Sequence, residues 1–247
     1  MNSLRTKALL LLCALFLASC GITPIPPDKL SQARTIGAIS LLGDELHIVQ
    51  IGTTVFNNVD KDEKAGWAMD RFTTQKIKNI LAGKSNLKFV DIDYKYSDFE
   101  PIYQATTRFP AADYDLKYAR DALSKLRQDY GIDLLILVAR TRHGIEDGIM
   151  YVHGCAIYNR SLLGISVETK AYLAAEIAIV DMADFKILTD ALMIDRQDYE
   201  RRLWKENVKD YSGLELRFLE AFYKGALESR LNSTLAGFGL LPKSTQP

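Results

Sequence analysis

The densest group of chemically capable side chains lies at residues 140–154, RTRHGIEDGIMYVHG. It holds Arg140, Arg142, His143, Glu146, Asp147 and His153. His143, Glu146 and His153 are donors of the kind that bind zinc, and an ion held by all three would supply the activated water of a hydrolase. Ten residues separate the two histidines with no ligand-like spacing between them, and the two arginines would repel a cation directly. The same arginines, with His143, suit an anion or a protein partner. Gly144, Asp147 and Gly148 are what an exposed loop needs in any case, so a polar loop without a site is a third reading.

Two further stretches carry the form of a site without its parts. LLGDELH (41–47) resembles the Gly-Asp that follows the first strand in lipase-like GDSL esterases and in binuclear phosphoesterases. Glu45 stands where the esterase nucleophile would be, and no Asp-x-x-His pair follows later in the chain to complete a triad. The Asp-x-His and Asn-His pairs that would hold two metals are missing as well. Gly43-Asp44 is therefore read as a hairpin turn between two strands. DIDYKYSDFE (91–100) begins like a calcium loop at Asp91 and Asp93, then places Lys95, Tyr96 and Ile102 where a ligand, a glycine and a glutamate belong. What remains there is aromatic density. Tyr96 and Tyr103 are candidate partner contacts, or else pack over an edge of the core. No phosphate-cradling glycine loop, HExxH, nucleophile elbow or CxxC pair occurs. The sequence calls for no metal and no other cofactor, and no catalytic residue is assigned.

The amino-terminal segment carries the most specific motif. Arg5 and Lys7 precede an uninterrupted apolar block, ALLLLCALFL (8–17). At about 1.5 Å per residue that block reaches roughly 15 Å, half of a ~30 Å hydrocarbon core, which matches a secretory segment and not a permanent span. Leu17-Ala18-Ser19-Cys20 follows, and resembles the lipobox of bacterial lipoproteins. The resemblance implies cleavage before Cys20, a diacylglycerol thioether on its sulfur and, in most members, an acyl chain (palmitate, typically) on the new amino group. Two or three chains make such an anchor effectively permanent. Gly21, where inner-membrane lipoproteins commonly carry Asp, implies sorting to the outer membrane, with the protein facing the periplasm.

Composition narrows the remainder. Loss of residues 1–19 removes Arg5 and Lys7, leaving 29 basic against 31 acidic residues. That balance gives no basic surface for nucleic acid. Cys13 departs with the leader and Cys20 is acylated, so Cys155 stands alone and no intrachain disulfide can form. Residues 20–34 hold three of the seven prolines and no apolar period, and read as anchor and flexible tether. Residues 35–247 read as a single domain.

Within that domain, TIGAISLL (35–42), LHIVQIGTTVF (46–56) and LKFVDIDY (87–94) have strand character. Lys64 to Leu81 has helical spacing, as do Leu116, Ala119, Leu123, Leu126 and Tyr130 ahead of Gly131. IDLLILVA (132–139) reads as a central strand buried on both faces. Three antiparallel strands follow (148–159, 167–180 and 184–193), reversing at Met182-Ala183 between the last two. A short surface helix is expected within 195–210. A closing helix opens with the capping box Ser212-x-x-Glu215 and ends at Gly237. The order predicts an α/β (α+β) fold with one mixed β-sheet, two to three helices packed on it, antiparallel strands in the second half and a carboxy-terminal helix. DYGIDLLILVAR and AYLAAEIAIVDMADFKIL resemble a module of envelope proteins. It occurs in the TolB amino-terminal domain, CsgG-like lipoproteins and lipoprotein activators of penicillin-binding proteins. Ala183-Asp184 stand where those families usually place a turn glycine. The function this implies is a membrane-anchored, non-enzymatic binding or adaptor component of the envelope with a protein partner, in assembly, transport or wall maintenance. A periplasmic metal-dependent hydrolase using residues 140–154 is the alternative. The anchor is directly testable: Cys20→Ala should lose labelled-palmitate incorporation and leave the membrane fraction or remain uncleaved, and equal labelling of both proteins would refute acylation.

Overall fold

The computed structural model describes residues 22–99, 101–102, 116–145, 150–163 and 165–242. The helices are α1 (Pro27–Gln32), α2 (Met69–Leu81), α3 (Arg120–Tyr130) and α4 (Gly213–Gly237). The strands are β1 (Thr35–Leu41), β2 (Glu45–Ile51), β3 (Val59–Lys64), β4 (Lys88–Val90), β5 (Leu134–Arg140), β6 (Arg142–Ile145), β7 (Met150–Leu162), β8 (Ile165–Asp181) and β9 (Lys186–Tyr199). They form the expected α+β arrangement around one mixed sheet.

β8 organises the sheet because it is long enough to serve two strands in succession along one edge. Its first part pairs antiparallel with β7 (Gly154↔Ala174 to Leu162↔Ile165), and its second part with β5 (Leu134↔Asp181 to Arg140↔Ala175). β9 runs along its other edge. Outward from this pair the sheet continues as two halves. β1 lies parallel to β5 and β4 parallel to β1, while β2 lies parallel to β7 and β3 antiparallel to β2.

The shared direction of β5 and β7 fixes that of β1 and β2. These two strands run the same way, end to end, with Leu42-Gly43-Asp44 as a kink between them. The hairpin expected at Gly43-Asp44 is thus absent. β1 is buried at six of its seven positions and β2 at its four central ones, and each finds an interior partner in a different half of the sheet instead of pairing with the other. Gly43 sits at φ 78°, and a Cβ there would collide with the Glu45 carboxylate. Asp44 turns from the kink to accept the Ala68 N–H at 2.8 Å.

Other elements differ from expectation as well: β2 ends at Ile51 and not at 56, β4 covers only Lys88–Val90 of 87–94, and residues Arg142–Ile145 form the strand β6. β3, VDKDEK, is an edge strand whose residues alternate between half-buried and exposed, so it has no apolar signature. It also claims Lys64, and positive φ at Gly66 and Ala68 delays α2 to Met69. The helix expected within 195–210 is replaced by the end of β9, which pairs as far as Tyr199↔Thr169, and by two short 3-10 turns. The segment read as a flexible tether is docked over its described part. Thr23 O accepts from Thr189 Oγ1 at 2.6 Å, the buried Ile25 donates its N–H to Phe238 O at 3.1 Å, and Lys29 Nζ meets Asp181 Oδ2 at 2.6 Å.

One face of the sheet is covered by α2 and α4, which enclose Leu46, Ile48, Ile136, Val138, Ile157 and Leu173. On the other face α3 covers β1, β5 and the end of β8 through Leu123 and Leu126. A smaller cluster there, including Val49, Tyr158 and Tyr172, lies beside the β6–β7 hairpin. β5 is buried at all seven positions, as its continuous apolar run requires. α4 begins at the capping box: Ser212 Oγ accepts the Glu215 N–H, and Glu215 Oε2 accepts the Ser212 N–H at 2.7 Å.

Leu123 is wholly buried at the centre of the α3 stripe. Loss of such a leucine costs ~2–5 kcal/mol, and an unpaired buried carboxylate adds to it. Against about 5–15 kcal/mol for a domain, Leu123→Asp should abolish cooperative melting. His143→Ala, at a half-buried position on β6, should cost less than about 1 kcal/mol. Thermal melts of both variants check the assignment, and a native-like melt of Leu123→Asp would disprove it.

Candidate functional site

The β6–β7 ladder decides what residues 140–154 can do. Arg142 lies opposite His153, and His143 opposite Val152. Residues directly opposite share a face of the ribbon, and successive residues alternate. His143 and His153 therefore point to opposite sides and cannot share an ion, while Glu146 lies outside the described residues. His143 and His153 are therefore not brought together as ligands of one ion. His143 approaches Tyr172, ring centroids 6.2 Å apart, and burial followed by the Arg196 charge lowers its pKa.

His153 is turned instead toward His47, and the two rings stack with centroids 3.8 Å apart and planes 10° from parallel. Their donors and that of Asp62 lie within 4.8 Å of one another. An ion bound through an imidazole lone pair lies in the plane of that ring, and no point lies in the planes of two face-stacked rings. Both His47 nitrogens are also engaged. Nδ1 accepts the His153 N–H at 3.2 Å, so Nε2 carries the proton it shares with Asp60 Oδ1 at 2.8 Å. Burial first, then the neighbouring His47, Arg140 and Arg142, push His153 down to about 2. Its Nδ1 is buried without a hydrogen-bond partner. His153 is neutral, and its 3.6 Å approach to Asp62 is not an ion pair.

These residues close the seam between the two halves of the sheet. Arg140 is buried and reaches Asp62 Oδ2 at 3.4 Å through Nη1, so it is withdrawn from any partner surface. Gly154, at φ 59°, bends β7 past it. On the β1–β2 side Asp70, in the first turn of α2, accepts from Ser40 Oγ at 2.7 Å, Leu42 N at 2.9 Å and Gly43 N at 3.2 Å. Burial raises this carboxyl to about 6, against the downward pull of those hydrogen bonds. Tyr94 completes the edge, its hydroxyl donating to Ser40 O at 2.7 Å.

Of the other sequence candidates, Arg142 is half-buried with its guanidinium over the Tyr151 ring at 4.6 Å. Tyr96 packs half-buried against the α3-side core. Tyr103 and Cys20 lie outside the described residues.

The surface that stands out includes Val55 and Phe56, which the sequence places in the strand 46–56 and the structure places in a 3-10 turn beyond β2. Val55 and Phe56 follow β2, and Leu162, Leu163 and Ile165 form the turn from β7 to β8. Phe56 is 94% exposed, Leu163 81%, Val55 77%, Ile165 68% and Leu162 56%. Thr53 Oγ1 accepts the Leu163 N–H at 2.7 Å, tying the two loops into one tip. Leu163 is held at φ 52°, a conformation that costs a non-glycine residue about 1–2 kcal/mol. Five large apolar side chains at one end of a domain are the kind of contiguous patch that marks an interaction surface. The signal in the sequence was apolar pairs, Val55-Phe56 and Leu162-Leu163, flanked by Thr, Asn, Ser and Gly.

Two groups of the seam titrate with opposite sign. The folded state keeps His153 neutral, whereas the unfolded chain binds a proton there near 6.5, so that contribution is present above pH 6.5 and is lost as pH falls. The folded state binds a proton at Asp70 near 6, against 3.8 unfolded, so stability gains from Asp70 as pH falls from 6 toward 4. Melting temperatures between pH 7.5 and 4.5 should fall more steeply for Asp70→Asn than for the unsubstituted chain, and less steeply for His153→Gln. Parallel curves for all three would contradict both assignments.

No protein-family model and no curated protein matches the chain. Among solved structures it is similar to the PelC dodecamer subunit of Paraburkholderia phytofirmans, at 10% identity and TM-score 0.36 over 90% of this chain and 96% of that one. It is similar to lipoprotein GNA1162 of Neisseria meningitidis, at 13% identity and TM-score 0.28 over 75% and 92%. It is also similar to the carboxy-terminal domain of LpoB from Salmonella enterica, at 9% identity and TM-score 0.27 over 74% and 92%. Likenesses of this size assign neither a family nor a role.

Proposed function

We propose that the chain is a lipoprotein, acylated at Cys20 and held at the periplasmic face of the outer membrane, that acts as a non-enzymatic adaptor by docking its apolar tip on an envelope protein. The carrying observation is the placement of that tip. Lys29 pins the amino-terminal segment to Asp181, at the carboxy-terminal end of β8, while Ile165 begins the same strand. Seventeen residues at ~3.3 Å each separate the two ends by roughly 50 Å along the strand. An anchor at one end would present Val55, Phe56 and Leu163 at the other, away from the membrane that holds it. The titratable residues best suited to catalysis are stacked, paired or buried at the seam, which favours binding over chemistry. No helix among the described residues is long and apolar enough to cross a membrane, so attachment in this reading rests on the lipid.

A photo-crosslinking residue in place of Phe56 should trap a discrete envelope protein in intact cells, whereas one in place of Leu214, exposed on α4, should not. Adding Leu163→Asp should reduce the Phe56 adduct at least tenfold, in line with loss of an interface anchor worth about 2 kcal/mol. Identical adducts from both positions, or an adduct indifferent to Leu163→Asp, would overturn the docking surface.

A further inference from the structure

Beneath the tip the helix-covered face of the sheet changes character abruptly. Ile48, Ile157 and Ala171 lie in register across β2, β7 and β8 and are fully buried. The next row on the same face is Gln50, Asn159 and Thr169, again in register and followed by Tyr199 on β9. Gln50 and Asn159 of this row line an open cleft of about 500 Å³, together with Trp204 and Leu163. The volume falls within the range of small-molecule sites.

The polar groups are fixed before any ligand arrives. Asn159 Nδ2 donates to Gln50 Oε1 at 2.9 Å, and Asn159 Oδ1 accepts from Ser166 Oγ and from Thr169 Oγ1. Gln50 Nε2 donates to Asn57 O at 3.0 Å, and Thr54 Oγ1 to Asn57 Oδ1 at 2.6 Å. Asn159 is itself 1% exposed. It is a hydrogen-bonded amide where the neighbouring row of the same face carries isoleucine.

We infer that this cleft binds a neutral oligosaccharide. None of its described lining residues carries a charge. A phosphate, carboxylate or sulfate ligand would call for an arginine or lysine at hydrogen-bonding distance. An apolar ligand would cut the floor off from water without meeting the donor and acceptor capacity that the internal bonds of its amides leave over. A sugar matches both surfaces, since its hydroxyl edge pairs with amide and hydroxyl groups that both donate and accept, and its C–H face lies against the Trp204 ring. This reading does not depend on the docking of the tip. Ser161 Oγ and Trp204 are the contacts to test, because both are partly exposed in the cleft and neither belongs to the hydrogen-bonded floor.

Calorimetric titration of the full chain with two neutral probes, the β-1,4 tetramer of N-acetylglucosamine and maltotetraose, decides the matter. At least one should bind with a Kd at or below about 1 mM, and the same titration should shift tryptophan fluorescence, because Trp67 is buried and Trp204 is not. Trp204→Ala should abolish binding, Trp204→Phe should retain it in weakened form, and Ser161→Ala should weaken it about two- to tenfold. The Phe and Ser variants carry the test if Trp204→Ala melts early. Absence of binding by both probes, binding unchanged in Trp204→Ala and Ser161→Ala, or tighter binding of a sulfated tetrasaccharide would each overturn the assignment.

Discussion

The Asp70 carboxylate holds the place where one strand becomes two. At Leu42-Gly43 the backbone leaves one ladder and has not yet joined the next, so its N–H groups have no strand partner. An N–H left unpaired inside a protein costs as much as a lost hydrogen bond. Asp70 accepts both of them and the Ser40 hydroxyl as well, and it does so from the first turn of α2, whose packing fixes its position. The arrangement lets a continuous segment, residues 35–51, serve β5 with one half and β7 with the other. Across the seam Thr141 repeats the solution in backbone form, its N–H donating to Ala174 O at 3.1 Å.

The seam also explains why residues 140–154 resemble a site. Wherever a sheet divides, buried groups lose ladder partners, and side chains with donors and acceptors must replace them. Arginine, histidine and aspartate do this work here, and they are the residue types that catalysis uses. Sequence alone shows their proximity along the chain. It does not show the pleat that sends His143 and His153 to opposite faces, nor His47 arriving from a strand more than a hundred residues away.

The legible parts of the fold are those where burial dominates. β5 and the core of β8 are long apolar runs, α3 carries a clean stripe, and α4 opens with a capping box that the structure reproduces bond for bond. The parts that were not legible lack that driving force. β3 is held by backbone pairing to β2, with six residues that contain one apolar side chain. The end of β9 is an edge whose charges face solvent. The kink at Gly43-Asp44 has the residues of a turn and a backbone near that of one, and only the partners of β1 and β2 distinguish the two. The exposed tip was illegible for the converse reason: Val55-Phe56 continue the apolar character of β2 into a loop, and the pair Leu162-Leu163 has no period.

Because β1 and β2 cannot pair with each other, the chain acquires its first interior ladder late. β1 waits for β5, about a hundred residues on, and β2 waits for β7. Both then depend on β8 to be closed against solvent. Contacts this distant along the chain slow folding, since a long loop must be closed before the interior pairing rewards it. Within the first half β1 and β2 have only the edge strands β4 and β3 as partners, and their interior partners β5 and β7 come later in the chain. The interior of the sheet is therefore complete only once β8, which pairs with both β5 and β7, has been made.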